Sequence, residues 1–215
     1  MTAQEKIGSY LLIYQKFETT ELNYCEQLCK PGSWAVDVGA NVGIFTLTLS
    51  HLATDAGGVI AVEPSPNNYL RLQTHVKTND RSNVRAFQLA AGHAGGFAHI
   101  DLDVDPAFGS AVAGDAADAG TGHKISVEIR RLDDIWDEVG RPTVSFVKID
   151  VEGGEADVVL GARELISTCK PYVLIEATSQ VQLTDLRAKF AELGYSGATP
   201  QGFQPWNFIF SPKRV

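Results

Sequence analysis

The sequence has 215 residues, of which 44% are hydrophobic and 20% charged, as in an ordinary globular domain with a sizeable core. Its formal net charge of −8 at pH 7 disfavours a nucleic-acid backbone as the main partner, because phosphate binding needs clustered Lys and Arg. The first residues, M-T-A-Q-E-K, lack an apolar stretch of signal-peptide length and no later stretch predicts a membrane span, so we expect a cytoplasmic protein.

Apolar residues recur at roughly helical spacing between residues 2 and 28 and predict one or two helices. Pro31 and Gly32 end this segment, so we divide the chain into an N-terminal helical extension, residues 1–32, and a main domain, residues 33–215. The extension could cover a sheet edge or close over a substrate pocket. The sequence leaves both alternatives open.

The segment that follows alternates between apolar strands and helices. Strands are predicted at 34–38, 59–62 and 83–89, and helices at 42–52 and 67–78. A β-α-β-α-β order is typical of a parallel sheet.

Residues 97–130 depart from this alternation. Two strands, 97–104 and 124–130, flank a tract rich in Gly, Ala and Asp at 105–122. We therefore predict a β insertion around a flexible loop. A loop of this length inside a domain is usually functional or disordered, and the sequence favours neither.

The α/β alternation resumes at residue 143 and ends in a pair of strands. The predicted elements are strands 144–149 and 171–175, helices 156–168 and 181–193, and a closing strand pair 195–198 and 206–210. The chain therefore predicts one α/β domain with a mostly parallel sheet.

Acidic residues stand at the ends of four predicted strands. They are Asp37, Glu63, Asp150 and Glu176. Because the carboxyl ends of parallel strands share one edge of a sheet, we expect these side chains to surround one crevice. Any one of them could instead begin or cap a helix, but the four together predict a ligand site.

The turn after the first strand indicates which ligand this crevice binds. A dinucleotide site has the pattern G-x-G-x-x-G, but here Asn41 and Ile44 occupy the second and third glycine positions. Asp37 would repel a diphosphate and suits an ammonium or sulfonium group, while Gly39 permits close backbone approach. Glu63 is placed to accept hydrogen bonds from two ribose hydroxyls. A nucleoside with a positive charge points to S-adenosylmethionine.

Four segments resemble the FkbM family of S-adenosylmethionine-dependent methyltransferases. They are D-V-G-A-N-V-G (37–43), V-E-P-S-P (62–66), R-L-D-D (131–134) and V-K-I-D-V-E-G-G-E (147–155). The resemblance implies the α/β class I methyltransferase fold, which is a Rossmann-like, seven-stranded, mostly parallel sheet with helices on both faces and an antiparallel last strand. It also implies O-methylation of a small molecule, commonly in natural-product or glycan biosynthesis. The alternatives are N-methylation of a small amine and a cofactor-binding protein of the same fold without turnover.

The resemblance further implies which residues bind the cofactor. They are Asp37, Gly39, Asn41 and Gly43 around the methionine moiety, Glu63 on the ribose, Asn68, Ala90 and Ala91 near the adenine, and Asp150 where cofactor and acceptor meet.

Asp150 and Glu152 are the candidate catalytic residues. In an extended segment they face the same side, so either could accept the acceptor's proton or orient the acceptor. Together with Glu176 they offer oxygen ligands that suit magnesium, but methyl transfer does not require a metal, and we expect none. Glu176 and His123 are the candidate substrate-binding residues. The expected partner is a small-molecule acceptor, without nucleic acid or membrane, and the candidate assembly is a homodimer.

Overall fold

The computed structural model describes residues 18–101, 124–151, 153–200 and 206–213. The strands within these ranges are β1 (Trp34–Val38), β2 (Gly58–Val62), β3 (Val84–Phe87), β4 (Ala90–Ala91), β5 (Gly96–Asp101), β6 (Lys124–Arg130), β7 (Val144–Ile149), β8 (Tyr172–Glu176), β9 (Tyr195–Pro200) and β10 (Asn207–Pro212). The helices are α1 (Thr19–Leu28), α2 (Ile44–Ala53), α3 (Pro66–Thr78), α4 (Leu132–Glu138), α5 (Glu155–Gly161), α6 (Arg163–Cys169) and α7 (Gln180–Glu192). In the part of the chain so described, no helix has the length and apolar character needed to cross a membrane.

Seven strands form the main sheet in the order β3-β2-β1-β7-β8-β10-β9. β1 pairs in parallel with β2 and β7, and the parallel pairing continues outward to β3 and β8. β10 runs antiparallel to both β8 and β9. The expected seven-stranded, mostly parallel sheet with an antiparallel last strand is therefore confirmed.

Helices cover both faces of this sheet, as expected. On one face, Cys25 of α1 and Phe45 and Leu49 of α2 pack against Ala35 of β1. On the opposite face, Trp136, Val158, Ile166 and Leu186, from α4, α5, α6 and α7, pack with Val36 of the same strand. Each fully buried large apolar side chain stabilises the fold by roughly 1.5–3 kcal/mol. Both faces of the central strands are thus buried, which explains their nearly uninterrupted apolar sequence.

The predicted two-stranded insertion is a three-stranded sheet with the order β4-β6-β5. Ala90 and Ala91, which follow the predicted third strand, form a separate short strand that pairs in parallel with Ile129 and Arg130 of β6. β5 and β6 pair antiparallel as expected; β5 is described as far as Asp101, and residues 102–104 of the predicted strand lie outside the described residues. The predicted flexible loop, residues 105–122, lies outside the described residues.

The helix predicted at 156–168 is two helices, α5 and α6, separated at Ala162. A Cβ on Gly161 would lie 1.9 Å from the carbonyl oxygen of Gly92, so the end of α5 packs directly on the turn after β4. The sequence shows no sign of this contact, because it depends on two glycines far apart in the chain.

Helix α4 was not predicted. The R-L-D-D segment forms its N-terminus, with Arg131 at the N-cap. The buried carboxylate of Asp133 accepts hydrogen bonds from the backbone N–H groups of Glu164, at 3.2 Å, and Leu165, at 2.9 Å. These are among the first amides of α6, so Asp133 caps that helix from a different segment. Arg131 Nη2 lies 2.8 Å from the same carboxylate.

Candidate functional site

Asp37 lies at the centre of the main sheet with its side chain fully buried. Thr46 Oγ1, from the first turn of α2, donates a 2.6 Å hydrogen bond to Asp37 Oδ2. Asp37 Oδ1 has no hydrogen-bond partner among the described residues. Burial raises the pKa of this carboxyl, although Lys148 and the Thr46 hydroxyl act in the opposite direction. One oxygen of this buried carboxyl, at the carboxyl edge of β1, is therefore without a hydrogen-bond donor among the described residues.

The turn between β1 and α2 has left-handed backbone conformations at Gly39 (φ 78°), Asn41 (φ 50°) and Gly43 (φ 95°). A Cβ on Gly39 would lie 1.8 Å from the backbone carbonyl oxygen of Asp150. A Cβ on Gly43 would lie 2.6 Å from Leu72 Cδ1. Gly39 is thus required for packing of the turn against the backbone after β7, and the positive φ of Gly43 favours glycine there, in addition to any role in ligand approach.

Glu63 connects the end of β2 to this turn. Its buried carboxylate accepts a 2.8 Å hydrogen bond from the backbone N–H of Asn41 and a 2.9 Å bond from that of Ser65. Burial raises the pKa of Glu63 to about 6, while the hydrogen bonds from Ser65, Asn41 and the Asn68 side chain act to lower it. Glu63 therefore fixes the orientation of the glycine turn relative to β2.

Lys148 is a buried ammonium in the neighbouring strand, β7. It is the register partner of Asp37, and its Nζ lies 3.0 Å from Asp150 Oδ2 and 4.7 Å from the centroid of the Phe45 ring. Burial would lower the pKa of Lys148, but Asp150, Asp37 and Glu18 outweigh it and raise that pKa above its ordinary value. Lys148 is therefore charged and balances part of the negative charge around it.

Asp150 follows β7 and reaches the crevice. Burial would raise its pKa, but Lys148 and a side-chain hydrogen bond with Glu176 hold the pKa of Asp150 below its ordinary value. Its side chain is 36% exposed, so a ligand can contact it. Asp150 is therefore an ionised and accessible carboxylate.

The loop after Asp150 is held by Glu155. This buried carboxylate accepts hydrogen bonds from the backbone N–H groups of Val151, at 3.3 Å, and Gly153, at 3.0 Å, and from Gln182 Nε2. Its oxygens are occupied by protein donors, so Glu155 supports the loop rather than contacting a ligand.

Most of the residues predicted for the site lie at adjacent strand ends. Those placed around the ends of β1, β2 and β7 are Asp37, Gly39, Asn41, Gly43, Glu63, Asn68 and Asp150. Glu176, at the end of β8, is connected to this group through Asp150.

Of the four other predicted residues, two lie in the small sheet and two are not described. Ala90 and Ala91 lie in β4 of the small sheet. Glu152 and His123 lie outside the described residues. Within the described ranges no three His, Cys, Asp or Glu side chains are grouped as a metal site would require.

The structure adds residues that the sequence interpretation missed. Lys148 is the one charged residue of the buried strand β7, and this was a usable signal for a paired, buried charge. Glu18 and Glu21 of the N-terminal segment also approach the strand ends, together with Asn207 of β10. Nothing in the sequence indicated these contacts, because they depend on where α1 packs.

A family model described as the methyltransferase FkbM domain matches residues 37–196. The 2-O-methyltransferase NoeI of Sinorhizobium fredii is 27% identical over 165 residues, which cover 70% of this chain and 65% of that protein. The 31-O-demethyl-FK506 methyltransferase FkbM of Streptomyces tacrolimicus is 28% identical over 161 residues, which cover 63% of this chain and 61% of that protein. The chain spans 58–65% of the length of the first curated relatives that it matches.

Two solved structures illustrate the likeness in fold. The FkbM methyltransferase of Methylobacillus flagellatus has a TM-score of 0.58 at 24% identity, covering 89% of this chain and 50% of that one. Aeropyrum pernix fibrillarin, solved with bound S-adenosyl-L-methionine, has a TM-score of 0.53 at 18% identity, and the match covers 85% of this chain and 67% of that one. At these identities the likeness establishes the class I methyltransferase fold.

Proposed function

Since the chain belongs to the methyltransferase FkbM domain family, we propose that it is an S-adenosylmethionine-dependent methyltransferase that methylates a hydroxyl group of a small molecule. The observation that carries the proposal is the unpartnered Oδ1 of buried Asp37 beside the glycine turn. A buried acceptor without a partner is costly, and a cationic donor from a ligand would relieve that cost.

The residues at the strand ends fit S-adenosylmethionine in charge and in hydrogen-bonding capacity. Asp37 suits the positively charged methionine moiety, because Lys148 balances only part of the carboxylate charge around it. Glu63 would hold the ribose. Its carboxylate accepts two backbone hydrogen bonds and one from the Asn68 side chain, which leaves one lone pair for a ribose hydroxyl group. Asn68 supports Glu63 from α3, and Ala90 and Ala91 remain sequence-based candidates for contact with the adenine.

When bound, the cofactor supplies an electrophilic methyl group on its sulfonium. The main task of the protein is then to align the acceptor with that group, an effect that can lower a barrier by several kcal/mol. We assign Asp150 the role of orienting the acceptor hydroxyl by accepting its hydrogen bond, because the Asp150 carboxylate is ionised and accessible. Its lowered pKa makes it a weak base, so Glu152 stays the sequence-based candidate for the proton acceptor.

The names of two relatives, NoeI and FkbM, specify methylation at oxygen and support O-methylation over N-methylation. A role in natural-product or glycan biosynthesis stays a prediction from the sequence. A cytoplasmic location, the lack of a nucleic-acid partner, a homodimer and the boundary at residue 32 stay predictions from the sequence.

Methyl transfer from labelled S-adenosylmethionine to a panel of sugars and polyketide alcohols tests the proposal. Asp150→Asn should reduce turnover at saturating cofactor by tenfold or more, about the loss of one hydrogen bond to a charged group. Asp55→Asn, at an exposed turn residue, is the matched control. Undiminished turnover in Asp150→Asn would remove that residue from the mechanism. Cofactor binding without transfer to any acceptor would favour a non-catalytic binding protein.

A further inference from the structure

Helix α1 begins with two glutamates on one side, Glu18 at its N-cap and Glu21 one turn later. Glu21 is only 1% exposed. Its Oε1 accepts a 2.8 Å hydrogen bond from Asn207 Nδ2, but its Oε2 has no hydrogen-bond partner among the described residues. A carboxylate with a purely structural role in so buried a position would be expected to have both oxygens paired.

The partner of Glu21 places it at the carboxyl edge of the parallel sheet. Asn207 begins β10 and is the register partner of Glu176, the last residue of β8. Glu176 in turn interacts with Asp150. The carboxylate of Glu21 therefore lies beside the β8 and β10 ends of this edge, away from the β2 end where Glu63 is placed to hold the ribose.

Glu18 approaches the same crevice. A carboxylate at an N-cap normally accepts hydrogen bonds from the first amides of its helix, but the side chain of Glu18 makes no such bond. It interacts electrostatically with Lys148, Asp150 and Asp37 instead. Burial raises the pKa of Glu18 to about 7, although Lys148 acts to lower it.

Carboxylates outnumber ammonium groups at these strand ends. Among the described residues, Glu18, Asp37 and Asp150 act on the ammonium of Lys148, and Glu21 acts on Glu18. Two buried oxygens, one on Asp37 and one on Glu21, remain without a hydrogen-bond donor. The cofactor's methionine moiety accounts for the first, so the second calls for a donor from another molecule.

We propose that the face of α1 carrying Glu18 and Glu21 forms one wall of the acceptor-binding site and selects an acceptor that presents hydroxyl or ammonium donors and no anionic group to it. The inference rests on the proposed methyltransferase function and deepens it. Carboxylates accept hydrogen bonds from both kinds of donor and repel an anion, and this repulsion is a strong discriminator at a partly desolvated site. Helix α1 thereby has a role in specificity in addition to covering the sheet.

The test compares the full-length wild type with Glu21→Gln, Glu18→Gln and the control Glu26→Gln, which alters an exposed glutamate of the same helix. Isothermal titration measures the affinity for S-adenosylhomocysteine. Transfer from labelled S-adenosylmethionine is then followed with three matched probes, a methyl glucoside, a methyl glucosaminide and a methyl glucuronide. These probes share a polyol and differ by carrying no charge, an ammonium or a carboxylate.

We expect the wild type to methylate the glucoside and the glucosaminide at least about tenfold faster than the glucuronide. Glu21→Gln should raise the KM for the two preferred probes about tenfold and reduce discrimination against the glucuronide, while the affinity for S-adenosylhomocysteine stays within about twofold. Glu18→Gln should reduce the same discrimination, and Glu26→Gln should behave as the wild type. The midpoint of thermal unfolding of Glu21→Gln should equal or exceed that of the wild type, because a buried unpartnered carboxylate has been removed.

Several results would overturn the inference. In the wild type, these results are a preference for the glucuronide and an absence of methylation of every probe at about 10 mM. In the variants, they are an acceptor KM equal to that of the wild type in both Glu21→Gln and Glu18→Gln, and a lower midpoint of thermal unfolding in Glu21→Gln, which would indicate a structural role. If the wild type does not bind S-adenosylhomocysteine, the proposed function fails as well. If it binds and transfers methyl groups without discriminating between the probes, only the present inference fails.

Discussion

Replacement of Glu63 by glutamine should weaken cofactor binding strongly. In the folded protein both carboxylate oxygens accept a backbone hydrogen bond, from Asn41 at 2.8 Å and from Ser65 at 2.9 Å. Glutamine keeps one acceptor oxygen and puts an amide donor where the other stood, so one ribose hydroxyl loses its partner and one backbone N–H faces another donor. Loss of a hydrogen bond to a charged group is worth about 1.5–3 kcal/mol, or roughly a 10- to 150-fold weaker affinity.

Isothermal titration with S-adenosylhomocysteine measures this loss, and Glu26→Gln on the exposed side of α1 is its matched control. Far-ultraviolet circular dichroism of Glu63→Gln checks that the variant is folded. An affinity within about twofold of the wild type in a folded variant would refute the assignment of Glu63 to the ribose.

Gly39→Ala should lower the free energy of unfolding by about 2–4 kcal/mol, because its φ is 78° and the new Cβ would lie 1.8 Å from the carbonyl oxygen of Asp150. Urea denaturation measures this loss, and a decrease below about 1 kcal/mol would contradict the geometry. Lys148→Met should destabilise the protein by about 2 kcal/mol or more in the same assay, because Asp37 and Asp150 lose their counter-charge. Equal or greater stability would show that the ion pair is dispensable. The pKa of Glu63 rises from 4.5 to about 6 on folding, so the stability of the wild type relative to Glu63→Gln should fall by about 2 kcal/mol as the pH rises from about 4.5 to 7. A constant or rising difference across that window would contradict this pKa.

The central sheet could be predicted from the sequence because its strands carry strong local signals. β1 is an apolar run with Asp37 next to its end, β2 is an apolar run followed by Glu63, and Pro66 begins α3 where a proline is favoured. Gly194, with φ 79°, ends α7 in the left-handed conformation typical of that position. Each of these signals depends on a few neighbouring residues.

The missed features all depend on contacts between distant segments. Helix α4 is seven residues long, and Asp133 acts by capping another helix about thirty residues later in the chain. Ala90 and Ala91 pair with β6 in the small sheet. This pairing depends on tertiary contacts and not on the strand propensity of the two alanines. In the candidate site, Asp37, Glu63 and Asp150 were found from their positions at the ends of strands. Glu21 was missed because its burial depends on the docking of α1 beside Asn207.

Equilibrium binding of S-adenosylmethionine to the wild-type chain tests the central claim most directly. Isothermal titration should give one site per chain with a dissociation constant between about 1 μM and 1 mM, the range in which enzymes usually bind their substrates. Asp37→Asn should weaken that binding, because the charge facing the methionine moiety is removed. No heat of binding at millimolar S-adenosylmethionine, or equally strong binding of a dinucleotide, would contradict the account.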